Sequence, residues 1–286
     1  MRTQSNLSEF GQALQRTLPQ VNKSSSAYQQ VSTLSGAASA LYLNLLSKQD
    51  SRLRLVITDT FETAEQIIQD LTLFSDPEGI CFFPHWDTLP YDNQSPDKEA
   101  VATRFHTLSR LIENRCHTVV TTPNALMQKI LPVSVFSDNC LTINVSEVYN
   151  RQDMVQKLVQ MGFVRVDMVE EKGEFAVRGE IMDIFPISTN DPVRLDFFDD
   201  DLESLKYFDI ESQRSGDSLK KVLLSPAKEV LYSDQDIQLA LSQLIELKTN
   251  TLPVTYHSIK EAIENKMVFP GIESLLPLFY QSTCTV

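Results

Sequence analysis

Glycine is scarce in this chain, with 8 residues in 286. Loops that cradle phosphates with backbone N–H groups usually depend on glycine, so a glycine-rich nucleotide loop is disfavoured from the outset. Cysteine is sparse as well. Cys81, Cys116, Cys140 and Cys284 stand apart, with no CxxC pair and no neighbouring histidine partner. That argues against a disulfide framework and a zinc site, and it predicts a reducing, cytoplasmic setting. No apolar run approaches the roughly 18–20 residues of a membrane span. The start, "MRTQSNLSEFGQALQ", lacks the apolar core and cleavage pattern of a secretory signal, so no membrane partner is expected. Basic charge is also short: 25 Lys and Arg against 38 Asp and Glu leave a net charge of −13. Affinity for duplex DNA comes largely from neutralised phosphates, so DNA is not an expected partner of the chain as a whole; a local basic patch stays open. The four histidines, His85, His106, His117 and His257, have no paired spacing. No catalytic residue and no metal site is expected.

What is present is an ordinary globular composition, 42% hydrophobic and 22% charged, in a length that fits two or three domains. The first half alternates strand and helix patterns. "RLRLVIT" (52–58), "GICFFP" (79–84) and "HTVVTTP" (117–123) are short apolar runs, expected as strands buried on both faces of a parallel sheet. Between them, "TDTFETAEQIIQDLTLF" puts Ala64, Ile67, Ile68 and Leu71 on one helix face, with Thr60 as N-cap. "SPDKEAVATRFHTLSRLIEN" starts with Ser95 as cap and Pro96 at the first helical position, then repeats Val101, Phe105, Leu108 and Ile112 at helical spacing. This rhythm predicts an open α/β domain with right-handed crossovers.

Near residue 130 the rhythm changes. "NCLTINV" leads to a helix expected over Asn150 to Met161, capped by Asn150 and stopped by Gly162. Four strand-like runs follow: "FVRVDMV", "EFAVRGEIMDIFP", "PVRLDFFD" and "LESLKYFDI". Gly, Asp, Asn and Pro separate them, which predicts antiparallel hairpins in a small α+β unit. After "SQRSGDS" (212–218) the chain reads as helical again, as in "SDQDIQLALSQLIELK".

Three motifs bear on chemistry. "TLSGAASALYLNLL" (33–46) has the outline of a phosphate loop running into a helix. A working P-loop, G-x-x-x-x-G-K-[ST], needs glycines, a lysine for the terminal phosphates and a hydroxyl for Mg²⁺. Here those positions hold Thr33, Ala38, Ser39 and Ala40, and only Gly36, at a non-diagnostic position, remains. A plain loop and helix start is expected, with no bound nucleotide. "VRLDFFDDD" offers Asp196, Asp199, Asp200 and Asp201, but Arg194 interrupts its apolar run, so a solvated hairpin turn is expected; "VEEKGE" (169–174) reads the same way. In "EKGEFAVRGEIMDIFP" (171–186), Phe175 and Val177 alternate with Ala176 and Arg178, and Gly179 marks a break or bulge. Arg178 then stands among Glu174, Glu180 and Asp183. Two readings are open: an ion-paired sheet surface, or a protein docking face with an arginine anchor.

Taken together, "HWDTLPYDNQSPDKEAVATRFHTL", "TTPNALMQK", "GEFAVRGEIMDIFP", "RLDFFDDDLESLKYFDIESQRS" and "FPGIESLLPLFY" resemble, in that order, the N-terminal part of the bacterial transcription-repair coupling factors (Mfd). That part is itself similar to the first domains of the excision-repair protein UvrB. The resemblance runs from Leu34 to Tyr280. It implies an α/β fold: a degenerate RecA-like (P-loop NTPase-like) parallel-sheet domain in two segments with an inserted small α+β domain. The first segment, 1a, would cover 1–130, the inserted domain 2 would cover 131–212, and segment 1b would cover 213–286, packing on 1a and stopping short of its full length. It also implies recruitment of the damage-scanning ATPase UvrA by domain 2. The matching candidates are Arg165, Arg178 and Phe185, with Glu174 and Glu180 beside Arg178 completing the partner-binding set.

Two departures from UvrB follow from the same comparison. UvrB has an intact P-loop, and it carries a long aromatic hairpin that clamps DNA; here "YDNQSPDKEA" passes directly from Tyr91 to the helix. The resemblance thus implies a non-enzymatic interaction module without a cofactor of its own. The translocase motor with its ATP and Mg²⁺, and the contacts to RNA polymerase and DNA, would lie in regions beyond Val286. Other domains of the same protein would mask the docking face until polymerase is engaged. The rival expectation is an ATP-dependent DNA-unwinding enzyme of the UvrB type, and Ser39 and Ala40 discriminate between the two.

Overall fold

A computed structural model describes residues 31, 34–89, 94–247, 253–267, 269–281 and 283. Thr33, Tyr91 and Cys284 lie outside the described residues. The described residues divide into two compact units, one within 1–82 and 114–122, the other within 83–113 and 123–286.

The first unit is built on a three-stranded sheet, β1 (Arg54–Ile57), β2 (Ile80–Phe83) and β3 (Thr118–Thr121), in the order β1-β3-β2. β1 and β3 are parallel, in register from Arg54 opposite Thr118 to Ile57 opposite Thr121. The sheet is accompanied by α1 (Ala38–Gln49) and α2 (Phe61–Thr72). The Thr60 hydroxyl caps α2 by accepting from the Thr63 amide at 3.2 Å. The apolar stripe of α2 is where its spacing predicts: Ala64 and Leu71 are buried with Ala40 and Val120, and Ile67 and Ile68 pack against them. A close approach explains Gly79, since a Cβ there would fall 1.8 Å from the His117 imidazole. β3, in the middle, is buried throughout. β1 departs from expectation. Val56 packs into the core, but Leu55 and Ile57 are 46% and 53% exposed. A strand at the sheet edge buries alternate residues, so its apolar run does not report two covered faces.

The second unit has two principal cores. One gathers α3 (Lys98–Ile112), α4 (Pro123–Met127), α5 (Val133–Asp138), α7 (Asp234–Leu247), α8 (Pro253–Glu264) and the short α9 (Leu276–Phe279), and it includes Ala102, Phe105, Phe136, Ala240, Tyr256 and Phe279. α3 begins two residues later than expected. Asp97 caps it, accepting from the Glu99 and Ala100 amides, whereas Ser95 donates to Glu273 at 3.0 Å and accepts from the Gly271 amide. Ser95 and Pro96 therefore belong to the approach, and a side-chain contact far away in sequence takes the hydroxyl.

The other core belongs to a six-stranded sheet: β5 (Val164–Arg165), β6 (Glu174–Arg178), β7 (Ile181–Ile184), β8 (Val193–Phe198), β9 (Asp201–Phe208) and β10 (Ser215–Ser218), adjacent in reverse order. β5 runs parallel to β6; the remaining pairs are antiparallel. α6 (Arg151–Gln160) lays Met154 and Leu158, and Met161 beyond its end, against Phe175, Met182, Ile184 and Leu195. Asn150 caps this helix, accepting from the Gln152 and Asp153 amides, and Gly162 leaves it at φ 91°.

Three expectations change here. "EFAVRGEIMDIFP" is a hairpin of two strands, since Arg178 pairs with Ile181 across a two-residue turn in which Gly179 has φ 62°. A glycine with positive φ at the first turn position suits a tight hairpin, so Gly179 turns the chain and no bulge forms. Ala176 is buried with Val169, Phe185 and Phe208, so the face opposite the main core is not wholly solvated. Finally, the chain does not become helical after residue 212: β10 completes the sheet, and β11 (Lys221–Leu224) pairs antiparallel with β4 (Leu141–Asn144) before α7 starts at Asp234. The strand system thus reaches past the 131–212 limits expected for the insertion. The fold class is mixed α/β: a three-stranded parallel sheet with helices, plus a separate mixed sheet.

Candidate functional site: the polar face of the six-stranded sheet

Strand geometry alone divides this sheet into two faces. Phe175, Ile184, Val193 and Tyr207 lie opposite one another across four strands and face the α6 side. The alternate row, Ala176, Asp183, Arg194 and Lys206, lies on the other face. Arg178 is two residues from Ala176 and shares that face, as do Asp196 and Ser204. Arg178, Arg194 and Lys206 therefore share this face with the carboxylates of Asp183, Asp196 and Glu174, in a chain whose net charge is −13.

Asp183 is the centre of the row, with its side chain only 1% exposed. Arg194 embraces it with two hydrogen bonds, Nε to Oδ1 at 2.7 Å and Nη2 to Oδ2 at 2.9 Å. Arg178 Nη2 donates to the same Oδ2 at 2.5 Å. The Arg194 guanidinium also lies over the Phe208 ring, 4.5 Å from its centroid, and donates through Nη1 to the Gln213 carbonyl. Its pKa is raised, first by the hydrogen bonds to Asp183. The Gln213 amide oxygen accepts weakly from both arginines, and Gln213 itself sits at φ 58° in the turn between β9 and β10. Arg194 is 11% exposed and Arg178 45%. One arginine is thus built into the sheet and the other is offered to solvent.

The other expected partner-binding residues divide. Glu180 is exposed in the hairpin turn next to Arg178. Glu174 is committed locally, its carboxylate accepting from the Glu170 and Glu171 amides at 2.9 Å. Phe185 is buried in the small cluster beneath the polar face, where it forms floor and not surface. Arg165 is exposed on the edge strand, but its register opposite Phe175 puts it on the α6 face, so it does not join Arg178. Arg194, which in the sequence is only a break in an apolar run, joins this face beside Asp183. Its signal was the alternation Val193, Arg194, Leu195, Asp196, which already places an arginine and an aspartate on one strand face.

The other sequence motifs resolve structurally. Asp199, at φ 58°, and Asp200 form the turn between β8 and β9. Glu171 and Lys172 pair with Lys98 and Glu99 of α3. Among the described residues no group of three or more His, Cys, Asp or Glu is arranged to hold a metal. No helix of the described residues is long and apolar enough to cross a membrane. In the loop before α1, Gly36 has φ 55° and the helix starts after Ala37 without a side-chain cap. Ala40, at the position of a magnesium-binding hydroxyl, is 1% exposed and packs with Ala64, Leu71 and Val120.

Residues 141–230, which span β4 to the segment after β11, match the family model described as the UvrB interaction domain. The chain is also 32% identical over 249 residues to a transcription-repair-coupling factor of Haemophilus influenzae, covering 87% of this chain and 22% of that protein. The counterpart from Myxococcus xanthus is 34% identical over 77% of this chain and 19% of its own length. That from Escherichia coli is 30% identical over 86% and 21%. This chain spans about a fifth of the length of the curated relatives it matches. With the polar sheet face at the centre of the matched segment, the chain corresponds to the N-terminal region of the transcription-repair-coupling factors and contains their UvrB interaction domain.

Proposed function

We propose that this chain is a non-catalytic docking module that recruits the excision-repair ATPase UvrA to stalled transcription complexes through the polar face of its six-stranded sheet. The observation that carries the reading is Arg178: half-exposed, anchored by Asp183, and inside the segment that matches the UvrB interaction domain. Arg165 at the sheet edge and Glu180 at the hairpin turn are further candidate contacts, and Phe185 supports the face from below. The three-stranded unit is a degenerate RecA-like scaffold in this reading, domain 1a, with domain 2 and then the helical segment 1b following it in the chain. Ala40, buried where phosphate chemistry would need a hydroxyl, supports an inert scaffold over an ATPase of the UvrB type. Masking of the docking face by other domains, contacts to RNA polymerase and DNA, and an ATP- and Mg²⁺-dependent motor belong to the rest of the longer protein.

An exposed arginine at the centre of a docking face is a frequent hot spot. Arg178→Ala is expected to weaken UvrA binding by about 2 kcal/mol, roughly 30-fold, with the fold intact. Titration of UvrA with the folded variant tests this, and an unchanged dissociation constant would remove Arg178 from the interface.

A further inference from the structure

Arg178 makes its hydrogen bonds through a single nitrogen. Nη2 donates to Asp183 at 2.5 Å and to Gln213 at 3.5 Å; among the described residues, Nε and Nη1 have no partner. A free arginine side chain samples many rotamers and loses that freedom when a partner takes hold of it. Here the freedom is already reduced, because the carboxylate that holds Nη2 is itself immobile. Asp183 is buried, sits opposite Arg194 in the ladder, and accepts two hydrogen bonds from it. Arg194 in turn is fixed over Phe208 and to the Gln213 carbonyl. Five elements, β6, β7, β8, β9 and the β9–β10 turn, thus converge to aim one guanidinium group.

We infer that Asp183, clamped by Arg194, is a positioning residue that presents the open Nε and Nη1 N–H groups of Arg178 to carboxylate oxygens on a protein partner. The occupant follows from chemistry on the face. One carboxylate between two guanidinium groups leaves a positive charge uncompensated. An arginine pinned at Nη2 still offers charged N–H donors at Nε and Nη1, and the carboxylate oxygens of Asp or Glu side chains are strong acceptors for them. Asp183 acts on the partner only through Arg178. The inference rests on the docking reading above and adds how the anchor is held.

A double-mutant cycle on this 286-residue chain tests it, with UvrA as the titrant and Arg178→Ala, Asp183→Asn and the double variant compared. Asp183→Asn alone is expected to weaken binding about three- to tenfold, the range set by re-immobilising one long side chain. In the Arg178→Ala background the same change is expected to do nothing further. If Arg178→Ala weakens binding but Asp183→Asn does not, the positioning role is overturned while the docking reading stands. Equal losses from Asp183→Asn with and without Arg178 would also overturn it, since a distorted sheet acts regardless of the anchor. If Arg178→Ala has no effect, the docking reading at this face fails and this inference fails with it. Should Asp183→Asn unfold the chain, Gln213→Gly takes its place in the cycle. Glycine accepts the positive φ of Gln213 and keeps its carbonyl for Arg194, while removing the side-chain amide that touches both guanidinium groups and donates to the Ile210 carbonyl. A smaller loss that vanishes without Arg178 supports the inference; a loss that persists overturns it. Binding of a short duplex DNA that falls in step with UvrA binding across these variants would point to phosphates and overturn the carboxylate assignment.

Discussion

Arg104 shows most directly what a single side chain does in this protein. It is fully buried, donates from Nε to Glu229 at 2.7 Å and from Nη1 to the Pro84 carbonyl at 2.9 Å, and stacks over Phe83 and Trp86. Residues from three separate stretches of the second unit meet there. A buried ion pair adds little net stability, but removing one partner strands the other. Glu229→Ala is therefore expected to cost about 3–5 kcal/mol, read as a shift in the urea midpoint. A loss below 1 kcal/mol would mean that water reaches the guanidinium. Cys140 behaves differently for a related reason. Burial pushes its thiol up to about 11, so the reactive thiolate is scarce at pH 8 in the native state. Alkylation at that pH, followed by peptide mapping, is expected to be slower at Cys140 in the native chain than in the unfolded one. Equal rates would contradict its burial.

Among the elements, α2 and the β6–β7 hairpin mark the two ends of legibility. The start and face of α2 are legible in the sequence: its apolar period and its cap follow from neighbouring residues. Because Thr60 closes the first turn through the Thr63 amide, Thr60→Ala is expected to destabilise the chain by about 1 kcal/mol. Thermal melting checks this, and an unchanged midpoint would show the cap to be redundant. The hairpin was not readable. Gly179 is compatible with a bulge in one long strand or with a turn between two, and nothing within a few residues decides. The pairing of Arg178 with Ile181 decides, and it holds because it lets Phe175 and Ile184 share one core while Ala176 and Asp183 share the other face. A slip by one residue would reverse both faces. The displaced cap of α3 has the same origin: Ser95 is a good N-cap by type, but Glu273 lies within reach of its hydroxyl.

For the molecule as a whole, the question is whether a chain with the outline of a phosphate-binding loop binds nucleotide. A ligand present at 100 times its dissociation constant would add about 2.7 kcal/mol of stability. No rise in melting temperature is expected with ATP and Mg²⁺, because the loop lacks lysine and its hydroxyl position is occupied by the buried Ala40. A clear rise would favour the UvrB-type enzyme over the docking module. What the sequence determined by itself is what depends on residue type and short spacing: the alternation of elements, the helix faces, the missing phosphate-binding residues, and the resemblance that places Arg178 in an interaction domain. What only the tertiary structure decided is which groups meet. It buried Phe185, turned Arg165 to the opposite face, and joined Asp183, Arg194 and Gln213 behind Arg178. Cross-strand register sets those contacts, and register is the outcome of two faces being packed at once, a constraint that no local stretch of sequence contains.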